Sequence, residues 1–162
     1  MGDNFNLRIA ERHETGKILE YIKKLANYEK LLDQVVATEE SLEYWIFEKG
    51  IGEVLFAEED GEIIGFALYF FNFSTFEGRA GLYLEDVYID EDKRHKGYGK
   101  KIFKKLAEIA LERGCTRFEF VCLDWNEKSI EFYKKLGAKS MDDWTIYRLE
   151  VEEMEKLVNS KE

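Results

Sequence analysis

Arg94-His95-Lys96-Gly97-Tyr98-Gly99 stands between an apolar, strand-like run, Leu82 to Ile89, and a run of helical spacing, Lys100 to Arg113. A strand that turns through two glycines into a helix is a geometry from which proteins build phosphate cradles. Gly97 and Gly99 accept backbone conformations closed to other residues and let a ligand approach the main chain closely. The N–H groups of the turn lack helical acceptors and face outward with the positive end of the helix dipole. Taken alone, such a turn is often only structural. Its meaning comes from what surrounds it.

Charge is the first surrounding feature. The chain has 162 residues, with 24 Lys and Arg against 34 Asp and Glu. Lys93, Arg94, Lys96, Lys100, Lys101, Lys104 and Lys105 cluster around the turn with no acid among them. An acidic protein therefore carries one basic island, and the island coincides with the glycine turn. The acidic body disfavours nucleic acid and suits a cationic substrate, while the island suits a phosphorylated ligand. A solvated lysine face on a helix accounts for part of the same pattern.

The 45% hydrophobic and 15% aromatic content predicts one globular domain over residues 1–162, large enough for a substantial core. No run approaches the length of a membrane span, and Met1 to Ala10 lacks the layout of a signal peptide, so the expectation is a cytoplasmic protein with no membrane partner. Cys115 and Cys122 flank one strand without His or Cys at ligand spacing. They read as free thiols, and no metal is expected.

Outward from the turn, the spacing predicts strands over Phe5 to Ala10, Glu53 to Glu58, Ile63 to Phe73, Gly81 to Asp90, Arg117 to Leu123 and Thr145 to Val151. Asp60-Gly61 reads as a hairpin turn. Helices are predicted over Glu14 to Leu32, from the Thr38 cap to near Gly50, over Lys100 to Arg113, and over Glu127 to Leu136 behind Asn126, with a last turn or two at Glu152 to Val158. This order implies an α/β (α+β) fold with one mixed sheet covered by helices.

Asn126, Ser129, Phe132, Tyr133 and Gly137-Ala138, downstream of Arg94-x-x-Gly-x-Gly99, resemble the second signature of the GNAT superfamily of N-acetyltransferases. Tyr69 to Arg79, Leu82-Tyr83-Leu84-Glu85-Asp86 and Leu25-Ala26-Asn27-Tyr28-Glu29 resemble the spermidine/spermine (diamine) and thialysine acetyltransferases within it. The likeness spans residues 5 to 150. It implies a single GNAT-like domain with acetyl-CoA as co-substrate, a small cationic amine as acceptor, and a homodimer.

The resemblance also implies roles for particular residues. Arg94, His95, Lys96, Gly97, Tyr98, Gly99 and Lys100 would hold the CoA pyrophosphate, largely through main-chain donors. Val87, Tyr88 and Ile89 would offer backbone groups to the pantetheine arm, as an added strand does. The N–H near Val87 would polarise the thioester carbonyl. Asn126 and Ser129 match positions that contact the cofactor, and Asn126 is also a good helix cap.

Tyr133 is the expected proton donor to the departing thiolate, although its spacing suits a packed aromatic equally well. A free aliphatic amine has a pKa of about 10 and must lose a proton before it attacks. Glu85 and Asp86 are adjacent, and strict alternation puts them on opposite faces. One of the two faces the cleft, and the resemblance assigns that place, with proton relay, to Glu85. Tyr28 and Glu29 match positions lining the amine site. Ser74 stands where polyamine-specific relatives carry an acid, which favours thialysine or another small amine over spermine.

Other readings separate on simple grounds. A protein lysine or N-terminal acetyltransferase would show activity confined to peptides. A non-catalytic acetyl-CoA-binding or nucleic-acid-binding module would lack turnover. Neither cysteine has a base nearby in sequence, which disfavours an acyl-enzyme route.

Overall fold

In the computed structural model, which describes residues 4–161, the chain divides into two compact units between Leu123 and Asp124. The first holds a five-stranded sheet in the order β1-β2-β3-β4-β5. These strands are β1 (Phe5–Ile9), β2 (Glu53–Glu59), β3 (Glu62–Ser74), β4 (Arg79–Ile89) and β5 (Phe118–Phe120). The first four pair antiparallel and β5 joins β4 in parallel, so the sheet is mixed as expected. Asp60 and Gly61 both take positive φ, 53° and 83°, at the β2–β3 turn, the backbone that a tight two-residue hairpin requires.

Alternation sorts the strand residues between two helical layers. Val54 and Phe56 of β2 and Phe66 of β3 are buried with Ile18 and Tyr21 of α1 (Thr15–Tyr28), and Ile22, Leu25, Leu42 and Tyr88 pack around them. On the other face, Phe5 of β1 stacks on Tyr98 of α3 (Tyr98–Glu112), with ring centroids 4.2 Å apart. Phe103 of the same helix stacks on Phe118 of β5 at 5.6 Å. Ile102, Leu106, Ile109 and Ala110 complete the buried stripe of α3, a helix-period pattern with its apolar side on the sheet.

Two carboxylates at opposite ends of β2 fasten the two ends of α3. Glu53 accepts from both terminal nitrogens of Arg113, at 2.9 Å each, and from the Tyr69 hydroxyl at 2.7 Å. Glu59 accepts from the hydroxyl of Tyr98, the first residue of the helix. A seven-residue strand and a fifteen-residue helix are both about 20 Å long, so one strand spans the helix that crosses it.

On the opposite layer, Tyr21 fixes α1 to the end of β4. Its hydroxyl lies 2.8 Å from Asp90 Oδ2 and 3.1 Å from the Ile63 carbonyl, and Lys24 Nζ reaches Asp90 Oδ1 at 2.9 Å. This brings the C-terminal end of α1, Tyr28 and Glu29, to β4.

Several boundaries differ from the expected ones. The first helix stops at Tyr28, and Lys30 turns the chain at φ 62°. The Thr38-capped helix, α2 (Glu39–Leu42), continues as a π-helical turn over Glu43–Glu48. The last strand of the first unit is only three residues long.

In the second unit, α4 (Glu127–Lys135) forms behind Asn126 as predicted. The strand expected from Thr145 to Val151 does not form. Residues 145–150 lack regular structure and Val151 opens α5 (Val151–Val158). Period-two apolar spacing supplies a face but no hydrogen bonds, and a strand exists only where a neighbour completes its ladder. Among the described residues, no helix is long and apolar enough to cross a membrane.

Candidate active site

β4 supplies the axis of the site. On one side it pairs with β3 along its whole length, whereas β5 covers only Leu82 to Leu84 on the other. Beyond Leu84 the second edge carries Glu85, Asp86, Val87, Tyr88 and Ile89 with no strand beside it among the described residues. An edge with unpaired backbone groups is where an extended ligand can add as a strand.

A β-bulge falls at this point. Leu68 pairs with Asp86 while its neighbour Tyr69 pairs with Leu84, so Glu85 is an extra residue without a partner across the ladder. A bulge re-aims side chains, and here it breaks the strict alternation expected for Glu85 and Asp86. The Glu85 charge acts on both Asp86 and Glu29, and the Glu29 charge acts on Asp86. Burial and then repulsion from Glu85 hold the Glu29 carboxyl above its usual range. Asp86 is pushed up to about 7, first by burial and then by the negative charges of Glu85 and Glu29. Sequence reasoning gave the proton-relay role to Glu85, which is exposed. It missed that its neighbour is the acid whose protonation is shifted into the neutral range.

Aromatic rings of neighbouring residues pack together here. Tyr28 meets Tyr88 edge-on at 6.5 Å, and Tyr88 packs on the buried Tyr21 at 6.2 Å. The Arg94 guanidinium lies 5.1 Å from the Tyr28 ring centre and 5.0 Å from that of Tyr88. Its Nε donates to the Ile89 carbonyl at 2.9 Å. These contacts hold the side chains of Tyr88 and Arg94 in place at the end of β4.

The glycine turn follows directly. After Arg94, His95 takes φ 66° and Gly97 φ 80°, and Gly97 is the cap from which α3 begins at Tyr98. A left-handed conformation at the non-glycine His95 is uncommon. Nothing lies within 4 Å of the position a Cβ would occupy at Gly97, so the space beside its backbone is open. The N–H groups of Tyr98, Gly99 and Lys100 precede the first helical acceptor, the bond from Lys101 N–H to the Gly97 carbonyl at 3.3 Å. Open space, first-turn donors and a free strand edge beside them fit a long pyrophosphate-bearing thioester.

The remaining expected site residues lie elsewhere. Ser74 is buried at the far end of the β3–β4 hairpin, where its hydroxyl accepts from the Glu77 N–H at 3.2 Å. It pairs with Arg79, six residues before Glu85, which is about 20 Å along the strand. The serine is thus committed to a turn and is not brought to the carboxylate cluster. In the second unit, Asn126 caps α4 by accepting from the Ser129 N–H at 3.3 Å. Tyr133 is half-buried on α4, its ring 5.7 Å from that of Phe132.

A glycine turn opening a helix beside a strand with a free edge, and a cluster of acids at that strand's bulge, fit a transferase of acyl groups from a CoA thioester to an amine. Residues 19–138 match the Acetyltransferase (GNAT) family, and the chain belongs to it. It is an acetyl-CoA-dependent amine N-acetyltransferase.

Over 163 residues it is 42% identical to a thialysine N-epsilon-acetyltransferase of Sus scrofa, covering 93% of this chain and 95% of that protein. It is 32% identical to the spermidine/spermine N(1)-acetyltransferase-like protein 1 of Homo sapiens over 94% of this chain and 23% of that protein, so it spans about a quarter of that relative. Among solved structures, an integron cassette protein from the mobile metagenome of V. cholerae matches with a TM-score of 0.81 at 26% identity, covering 98% of this chain and all of that one.

Proposed function

We propose that the chain acetylates the primary amine of a small cationic substrate of the thialysine or diamine kind, by direct attack in a ternary complex. The observation that supports this most is the Glu29–Glu85–Asp86 cluster at the bulge of β4. Acids whose charges repel one another and are partly withdrawn from water are relieved by a cation, so the cluster selects an ammonium. The names of the relatives point to the same substrate class.

Acetyl-CoA supplies the acetyl group as a thioester, already activated for transfer. The turn from His95 to Lys100 holds its pyrophosphate by main-chain donors. Val87 and Ile89 present backbone groups to the pantetheine arm, and the Val87 N–H stabilises charge on the carbonyl oxygen. Asn126 and Ser129 are read as further cofactor contacts, on the family resemblance.

Glu85 holds the ammonium, and Asp86 accepts its proton. An ordinary Asp near pH 4 would be about six units too weak a base for an amine near 10, whereas at about 7 the gap falls to about three. The Tyr133 hydroxyl donates a proton to the departing sulfur. The same reading makes the protein a cytoplasmic homodimer, on family resemblance and composition.

Release of CoA measured against thialysine, lysine, putrescine, spermidine and lysine-bearing peptides tests the substrate class. Turnover with free amines, highest for thialysine, is expected. Activity confined to peptides overturns the reading.

A further inference from the structure

Glu59 is a carboxylate with 6% of its surface exposed, at the end of β2 and on no edge of the carboxylate cluster. Its Oε1 accepts from Lys93 Nζ at 2.7 Å, and its Oε2 accepts from Lys96 Nζ at 3.1 Å and from the Tyr98 hydroxyl. One donor, Lys93, precedes the glycine turn, and the other two, Lys96 and Tyr98, lie within it. Between them lie the two left-handed residues, His95 and Gly97.

Sheet register explains how one acid reaches all three. Glu59 pairs with Phe5, so both side chains emerge on the face where Tyr98 stacks on Phe5. Tyr98 is itself buried, which fixes the hydroxyl end of the contact. The lysines keep about a third of their side-chain surface exposed, and their ammonium groups are turned to the carboxylate.

We propose that Glu59 is the positioning residue of the CoA pyrophosphate turn, holding Lys93, Lys96 and Tyr98 so that the strained loop keeps its anion-binding shape before cofactor arrives. This rests on reading the His95–Lys100 turn as the pyrophosphate cradle. A non-glycine residue at positive φ, as His95 is, persists where its surroundings over-determine it. Bonds from both limbs to one buried carboxylate supply that constraint. Bonds from Lys93, then Tyr98 and Lys96, hold the Glu59 carboxyl down at about 2, so it stays ionised throughout the working range. Two of the seven cations of the basic island are thereby engaged with an acid of the same chain, and they serve the ligand through the shape they impose.

Glu59→Gln keeps the size of the side chain and removes its charge. Calorimetric affinity for CoA and for pantetheine, which lacks the pyrophosphate, should be measured for the wild type and the variant. The expected result is a loss of preference for CoA over pantetheine of about tenfold or more, the scale of losing charge-assisted hydrogen bonds. An unchanged preference overturns the proposal. If Glu59→Gln does not fold by near-ultraviolet circular dichroism, Tyr98→Phe, which deletes one of the three donors, is read on the same ratio with the same two outcomes. Gly97→Val separates the levels of inference. If it erases the preference while Glu59→Gln keeps it, the cradle stands and the clamp fails. If neither variant changes it, the cradle itself is wrong.

Discussion

Glu59 and Asp86 sit in the same sheet, each drawn out of water, and their protonation chemistry runs in opposite directions. Glu59 collects two ammonium groups and a phenol, and its carboxyl is held at about 2. Asp86 has two acids for neighbours, and its carboxyl is pushed up to about 7. A carboxylate with its donors supplied by the chain is finished, and it can only hold things in place. One left without compensation among like charges awaits a cation from outside. The molecule thus uses the same functional group once to shape the cofactor turn and once to receive the amine.

The greatest expected effect follows from taking away the uncompensated acid. Asp86→Asn should lower kcat/KM by about 10²-fold, the lower range for losing a general base. It should also abolish the acid limb of the pH profile, which in the wild type falls roughly tenfold per pH unit below about 7. Steady-state rates between pH 5.5 and 9 check this. A limb that survives in Asp86→Asn assigns the proton to another group.

Proton delivery should be separable from proton uptake. Tyr133→Phe, on α4, should lower kcat by about tenfold or more while leaving the acid limb where it was. Unchanged turnover at saturating substrates removes the donor role.

A smaller effect tests the coupling inside the cluster. Glu85→Gln deletes a negative charge that raises Asp86, so the acid limb should move to lower pH. The amine KM should rise by a few-fold, as for a partly exposed charge pair. A limb that stays in place shows that the Glu85 charge does not act on Asp86.

The sheet and the glycine turn were legible because both are written locally. Apolar alternation marks β1 to β4, Asp60-Gly61 marks the hairpin, and Gly97 announces a φ that few residues accept. Glu59 was not legible, since its partners lie 34 to 39 residues away and its sequence context is only the end of a strand. The bulge was hidden for a different reason. Glu85-Asp86 looks like ordinary alternation, and the extra residue appears only once Leu68 and Tyr69 select their partners on β4. The run from Thr145 misled because its composition describes a face, whereas a strand also needs a neighbour. The resemblance supplies Ser74 with a position in a family pattern and says nothing of the turn hydrogen bond that its hydroxyl accepts.

The subtlest consequence is in stability, where the two acids should tilt the pH dependence in opposite senses. Asp86 binds its proton more tightly in the folded state, about 7 against an ordinary 3.8. It therefore contributes stability that is full below about pH 4 and is lost as pH rises through 7. Glu59 is the reverse, its folded value held at about 2 against 4.5, so its contribution is full above 4.5 and is lost as pH falls toward 2. Glu14 adds to that acid loss, because hydrogen bonds from Arg8 hold its carboxyl down at about 2 as well. Urea unfolding of the ligand-free protein between pH 3 and 8 reads both sides. Asp86→Asn should flatten the decline between pH 4 and 7, by a slope approaching about 1.4 kcal/mol per pH unit at most, and leave the acid side alone. Glu59→Gln should soften the acid loss without removing it, since Glu14 remains. If Asp86→Asn leaves the neutral side unchanged, Asp86 is not desolvated in the folded protein, and the contrast with Glu59 reduces to a difference in neighbours without a difference in chemistry.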